Sequence, residues 1–305
     1  HMRSFEPEYL FPSHTKPIEG DDATKALTIY RDAIQFIHDQ TIRLMNKGYY
    51  PDEIVEMIDL PYELASSSLL KEFYGTVRWS VRSIYNGYLG WFDGNPSSLD
   101  PLENIVEAQR IASLAGGNEN LFQSLEKAIA IEDMQWALQL SDYLINLEFR
   151  INETNILRKE ALFHIGTRAS NPNKRNYFLT SALELNPSFE GFPEVKKSES
   201  VVNEIDVDTI FSILSVSFNP ENSFKDKYSV CFRFKSGKKR TATIRNRTLE
   251  ISKNLQSCNL NVSTSEKIFK ETLAGLRSPV GEVASGAIDV EESKVDFLKF
   301  LTSFK

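Results

Sequence analysis

Side chains able to do acid–base or metal chemistry are sparse in this chain. Of 305 residues, four are histidine (His1, His14, His38 and His164) and two are cysteine (Cys231 and Cys258). A catalytic zinc site takes three protein ligands and keeps a fourth position for water. Three widely scattered histidines do not assemble such a site by themselves. The opening His1-Met2 reads as the scar of a cleaved tag, which discounts His1. Two cysteines are too few for a disulfide framework or a zinc cage, and they read as free thiols in a reducing compartment. His38 and His164 stand alone in helical stretches and read as packed or surface histidines.

Two clusters are denser. Between positions 69 and 100 lie Phe73, Tyr74, Trp79, Tyr85, Tyr88, Trp91 and Phe92, a set that reads first as a helix-packing core. It runs into Asp93-Gly94-Asn95-Pro96, a turn in its own right, because Asp and Asn tolerate left-handed backbone and Pro sets the exit. The second cluster is basic, with eight Lys and Arg and no acid between Lys227 and Leu249. It either faces phosphate, sulfate or anionic lipid headgroups, or is a solvated sheet face. Nucleic acid does not fit a chain of net charge -7 whose basic stretch carries its aromatics on the opposite face.

The elements that must position these residues fall into two grammars. Tyr9-Leu10-Phe11, followed by Pro12, Ser13, His14, Pro17 and Gly20, reads as a strand end without a partner, entering a loop. From Asp21 the period is helical: Leu27, Tyr30, Ile34, Ile37, Thr41 and Leu44 form a seam that ends near Gly48. Ala26, Ile29, Ala33 and Phe36 widen it, so the helix is either deeply buried in its own domain or meets another chain. Pro51 opens a short helix to Ile58. After Pro101 come helices around Leu102–Ile111, Leu121–Ala128, Trp136–Leu147, Ile156–Ile165 and Tyr177–Leu185. Their short links predict helical hairpins of tetratricopeptide type.

Residues 187–203 lack period and read as a linker. Beyond them Tyr228, Val230, Phe232 and Phe234 alternate with Ser229, Cys231, Arg233 and Lys235, a half-buried strand. Ser236-Gly237 turns into a strand through Thr241 and Ile244. Further strands follow at Leu249–Ile251, Leu260–Val262 and Ala287–Val290, with helices around Ile268–Leu276 and Val295–Phe304. The fold class is thus an α-helical domain followed by a small α+β domain. The charge divides with them, since residues 201–305 hold 16 basic and 13 acidic side chains, +3, against -10 for the rest. No apolar run approaches the ~18 residues of a membrane-spanning helix.

Tyr74-Gly75-Thr76-Val77, Ile84-Tyr85 and Tyr88-Leu89-Gly90-Trp91-Phe92-Asp93-Gly94-Asn95-Pro96 resemble the alkyl sulfatases, zinc-dependent hydrolases of the metallo-β-lactamase superfamily. His38-Asp39-Gln40-Thr41, Pro51-Asp52-Glu53-Ile54, Ala115-Gly116-Gly117, Trp136-Ala137-Leu138-Gln139-Leu140 and Asn176-Tyr177-Phe178-Leu179 extend the likeness over almost the whole chain. The resemblance implies a dimerisation domain at 21–186 and, at 204–305, a domain of sterol-carrier-protein type with an apolar groove. It implies that residues 1–20 are the remnant of an upstream zinc domain, with His14 as one ligand to two zinc ions in the intact parent. One imidazole is too few to hold zinc here. Tyr74, Tyr85 and Tyr88 become candidate substrate contacts, and Trp79 stands where the family has a histidine that reaches the sulfate. An indole cannot relay a proton at neutral pH. His14 is followed by Thr15 where the family pairs two histidines. The expected activity is hydrolysis of sulfate esters of aliphatic chains by a homodimer, with this fragment supplying the dimer interface and an apolar groove. The competing expectation is a dimeric lipid-binding or adaptor module that has lost catalysis.

Overall fold

The computed structural model describes every residue except His1, Thr15, 194–197, 255–256 and Lys305. The readings of His1 as a tag scar and of Thr15 in place of a second histidine therefore lie outside the described residues, as does the middle of the linker. The chain divides into two compact units, His1–Gly191 and Phe192–Lys305. As the patterning predicts, the chain is mostly helical with one small mixed sheet near its C-terminus.

In the first unit, β1 (Tyr9–Leu10) has a partner after all. It pairs antiparallel with β2 (Ile18–Glu19), Leu10 opposite Ile18, so the isolated strand end is one arm of a hairpin. Ile18-Glu19 is too short to announce itself as a strand. The long helix α1 (Asp21–Met45) carries Asp21 and Asp22 in its first turn, where the helix dipole favours acids. Its small residues Ala23, Ala26 and Ala33 are buried, as are Thr41 and Leu44, while Ile34 stays 66% exposed. The widened apolar seam is thus used for close approach at the alanines, packs at Phe36, Ile37 and Leu44, and is left open at Tyr30 and Ile34.

Next come α2 (Pro51–Met57), α3 (Tyr62–Ala65) and α4 (Val77–Leu89). Pro51 sits at the first helical position of α2, and the Glu53 carboxylate returns to accept from the Tyr50 N–H at 2.8 Å. Thr76 caps α4 by accepting from the Trp79 N–H at 3.0 Å. Leu44, Ile54, Val55, Ile58, Val81 and Tyr85 form one core among these elements. A second core binds α5 (Asn104–Leu114), α6 (Asn118–Ala130), α7 (Met134–Asn146), α8 (Ile151–Arg168) and α9 (Pro172–Glu184), of which α6 to α9 each pack on the next. Leu121, Leu125, Leu140 and Leu144 are fully buried in it, each stabilising the fold by roughly 1.5–3 kcal/mol.

The first helix of the second unit is α10 (Glu199–Glu204), all but its last residue inside the stretch read as linker. Ser198 caps it and Val202 is buried, but six residues are too few to show a helical period. Then follow α11 (Val207–Ser217), β3 (Tyr228–Phe234), β4 (Lys239–Arg245), β5 (Thr248–Ser252), β6 (Leu260–Thr264), α12 (Glu266–Leu273), α13 (Pro279–Ala284), β7 (Asp289–Val290) and α14 (Lys294–Thr302). The sheet order is β5-β4-β3-β6-β7, with β3 and β6 parallel and the other pairs antiparallel. One face packs Phe232 and Phe234 on Phe211 and Phe269, with ring centroids 5.1–6.4 Å apart.

Two expectations are corrected here. Cys231 and Cys258 are not free thiols but a disulfide, with Cα atoms 5.8 Å apart. Parallel pairing sets Val230 opposite Leu260, which carries the segment leading into β6, with Cys258 two residues before that strand, alongside β3. Nor is β3 half-buried. Ser229 and Cys231 are buried along with Thr241 and Thr243 of β4. The Thr241 hydroxyl donates to the Asn254 carbonyl at 2.8 Å, so the segment after β5 lies over the face expected to meet solvent.

Candidate functional site

The first unit holds a cavity of about 680 Å3. Its apolar wall comes from the hairpin (Leu10, Pro12, Ile18), from α1 (Ile34, Ile37) and from the segment before α4 (Leu69, Leu70). His14, Lys71, Tyr74, Thr76 and Ser80 add polar groups to the lining. That size and mixture suit a small molecule with an apolar body and a polar end.

The hairpin presents His14 in the loop between β1 and β2, where its imidazole lies 4.8 Å from the Tyr74 ring, centroid to centroid. The backbone under Tyr74 is braced from both sides. Glu72 accepts from the Val77 N–H at 2.7 Å, and Thr76 caps α4 one step later. These two capping bonds tie the loop's exit to the first turn of α4.

Of the candidate residues, His14 and Tyr74 are brought together; the others stand apart from the cavity. Trp79, 41% exposed, lies on α4 but does not line the cavity, which that helix meets through Val77 and Ser80. Its neighbour Arg78 pairs with Glu56, and this hydrogen bond holds the Glu56 carboxyl below the usual range. Tyr85 is buried, and its hydroxyl donates to the Asp93 carbonyl at 3.1 Å. Burial first, and then the nearby Asp93, push that hydroxyl's pKa up. Asp93 and Asn95 accept from the N–H groups of Asn95 and Ser97, so both build the turn expected of them.

Tyr88 is exposed and bonded through its hydroxyl to His38 Nε2 at 2.8 Å, while His38 Nδ1 meets Asp39 at 2.9 Å. The His38 contact, with a second bond from Gln35, keeps the Asp39 carboxyl below its ordinary value. This Asp39–His38–Tyr88 chain joins α1 to α4 and gives His38 a partner that its isolated position did not suggest. The sequence does not mark Leu69, Leu70 or Ser80 as cavity lining, since the first two lie in a short segment without period and Ser80 is a single small polar position on α4.

In the second unit the basic stretch meets acids brought from elsewhere. Arg240, almost wholly buried, binds Asp208 and holds its carboxyl below the usual range. Lys238 pairs with Glu266, Arg245 with Glu250 and Arg247 with Glu221, while Arg233 donates to Asn261. Five of the eight charges are thus engaged within the unit, and they do not converge on one anion-binding point.

Among the described residues no three His, Cys, Asp or Glu side chains are placed to hold a metal ion. His14 offers one imidazole, which does not fit a zinc site alone, so no metal-dependent step is assigned to this chain. No helix among the described residues is long and apolar enough to cross a membrane.

Residues 50–188 match the family model for alkyl sulfatase dimerisation. A linear primary-alkylsulfatase of Pseudomonas sp. is 40% identical over 202 residues, covering 66% of this chain and 38% of the relative. An (R)-specific secondary-alkylsulfatase of Pseudomonas sp. is 28% identical over 269 residues, covering 87% of this chain and 40% of that protein. An alkyl/aryl-sulfatase of Saccharomyces cerevisiae is 27% identical over 305 residues, covering 97% and 46%. Among solved structures, a stereoselective inverting sec-alkylsulfatase from Pseudomonas sp. matches with a TM-score of 0.89 at 24% identity, which shows the fold, and covers 98% of this chain and 48% of that chain. The chain spans less than half the length of each of these relatives.

Proposed function

We propose, from the premise that residues 50–188 form a dimerisation domain of the alkyl sulfatase family, that this chain is the dimerising and substrate-flanking part of a sulfuric ester hydrolase. The observation that carries the reading is the family match, joined to 40% identity with a primary-alkylsulfatase over two thirds of the chain. In this reading two copies associate through the helical unit. The ester's sulfate end lies near His14 and Tyr74, and zinc is held by ligands from outside the present sequence with His14 added to them. His14 would be this chain's one contribution to holding zinc, which would supply Lewis-acid chemistry for ester cleavage in the longer protein. This chain's own share is to bind and orient the ester and to exclude water around its aliphatic part.

A groove of sterol-carrier type in the second unit belongs to the same proposal with less support, because Phe211, Phe232, Phe234 and Phe269 already fill the face that would wall it. The purely lipid-binding alternative leans on that groove and on Trp79, which stands away from the cavity. It is the weaker reading.

The test has two arms. Light scattering on the chain at micromolar concentration should give twice the 34.8 kDa chain mass, and a monomer would remove the dimer from the proposal. Dodecyl sulfate hydrolysis by the longer protein that carries this sequence should be abolished by chelators. Absence of hydrolysis with zinc supplied, or absence of a His-x-His-x-Asp-His run upstream, would turn the reading toward the lipid-binding module.

A further inference from the structure

The backbone of Tyr74 and Gly75 is held from the far end of the helical unit. The Asn171 side-chain amide donates to the Gly75 carbonyl at 3.1 Å, and the Asn173 amide donates to the Tyr74 carbonyl at 2.9 Å. Asn171 is 3% exposed and also caps α9, its Oδ1 accepting from the Lys174 N–H at 2.8 Å. Pro172 between them sits at the first helical position of α9 and lines the cavity. With the Glu72 carboxylate on the Val77 N–H, three side chains bind backbone groups of the six-residue stretch 72–77.

We propose that Asn171 and Asn173 are positioning residues that set Tyr74 against His14 at the cavity. Resting on the reading above, this makes the Asn171-Pro172-Asn173 corner the element that orients the side chains flanking the sulfate ester. The chemistry is specific to the carboxamide. Each amide must donate to a carbonyl, and Asn171 must at the same time accept from a helix N–H, a combination a carboxylate cannot supply. A hydrogen bond to a backbone carbonyl constrains the tilt of its peptide plane, and the side chain on that residue turns with it.

Asn→Asp substitution separates the two roles. Asn171→Asp keeps the cap, since Asp and Asn rank alike at that position, but it removes the donor to Gly75. Asn173→Asp places an acid in the first turn of α9, which the helix dipole favours, and removes the donor to Tyr74. Both chains should therefore stay folded while Tyr74 is released.

The measurement is the imidazole NMR signal of His14 in the chain, assigned through His14→Gln, whose position reports the ring current of Tyr74. Tyr74→Leu defines the position without that ring. The expected result is that Asn173→Asp shifts the His14 signal most of the way to the Tyr74→Leu position, Asn171→Asp shifts it in the same direction, and neither changes the melting temperature by more than a few degrees. A His14 signal unmoved in the folded Asn173→Asp chain would overturn the proposal. If Asn171→Asp does not fold, the surface-exposed Asn173→Asp decides alone. In the longer hydrolase the same substitutions should lower kcat/KM by on the order of tenfold to a hundredfold, with the mass of the assembly unchanged. A wild-type protein without hydrolysis would remove the sulfatase reading and leave the His14 measurement standing.

Discussion

Tyr85 and Asp93 are joined by one hydrogen bond, from the phenolic hydroxyl to the main-chain carbonyl at 3.1 Å, and it locks the turn after α4 onto the helix. Gly94 sits in that turn at φ +90°, and a β-carbon there would come within 2.8 Å of the Tyr50 ring. Tyr85, a candidate substrate contact by resemblance, is a strut of the core. Tyr85→Phe keeps the ring and strands the carbonyl, which should cost about 1–2 kcal/mol in denaturant unfolding. Under the proposed function, KM for an alkyl sulfate should not change. A KM increase without loss of stability would return Tyr85 to the substrate site.

Gly166 lets α8 and α9 approach closely. An added β-carbon would lie 2.9 Å from Leu179 Cδ2 and 3.2 Å from Phe178 Cβ. Alanine gains about 1 kcal/mol over glycine in a helix interior, but overpacking costs about 1–3 kcal/mol. Leu179 meets the new atom with its branch carbon as well as a methyl, so the clash should win. Gly166→Ala is expected to lower thermal stability by a net of about 1 kcal/mol. A higher melting temperature would mean that α9 moves aside freely.

The Cys231–Cys258 bond closes a loop of 27 residues in sequence separation. By chain entropy that is worth roughly 3–4 kcal/mol. Dithiothreitol, or Cys258→Ser, should lower the melting temperature of the second unit on the order of 10–20 °C. Thiol titration in denaturant without reductant should find none. Two titratable thiols would show that the pair is open.

Stability of the second unit should fall at both ends of the pH range, with Glu271 contributing to the acid limb and Tyr228 to the alkaline one. Hydrogen bonds from Asn203 and then Arg277 lower the Glu271 carboxyl from 4.5 to about 2. Because the folded value is depressed, this contribution is present above pH 4.5 and is lost as the pH falls through about 2. Burial, and then Asp296, raise the Tyr228 hydroxyl from 10.0 to about 12. That contribution is complete below pH 10 and disappears as the pH rises through about 12. Glu271→Gln should flatten the acid limb of a denaturation series and Tyr228→Phe the alkaline limb. Limbs unaltered by these substitutions would assign the pH response to other groups.

Local patterning alone determined most of the architecture. The period along Leu27–Leu44 and the alternation along Tyr228–Phe234 mark which elements form, because burying one face imposes spacing on neighbouring residues. Caps and turn residues, from Pro51 to Asp93-Gly94-Asn95-Pro96, mark where elements stop for the same short-range reason. The Tyr74-to-Pro96 block named the family. Only the tertiary structure decided which of these residues act together. It paired Cys231 with Cys258, folded residues after β5 over a face written as solvent-exposed, and matched the basic strands with acids from other elements. It separated Trp79, Tyr85 and Tyr88 from the cavity while setting Tyr74 beside His14. The bonds that hold Tyr74 and Gly75 span 99 and 96 positions. A contact at that separation is set by how whole helices pack, and asparagine's two-sided amide looks the same in sequence whether it caps a helix, grips a distant carbonyl or does both.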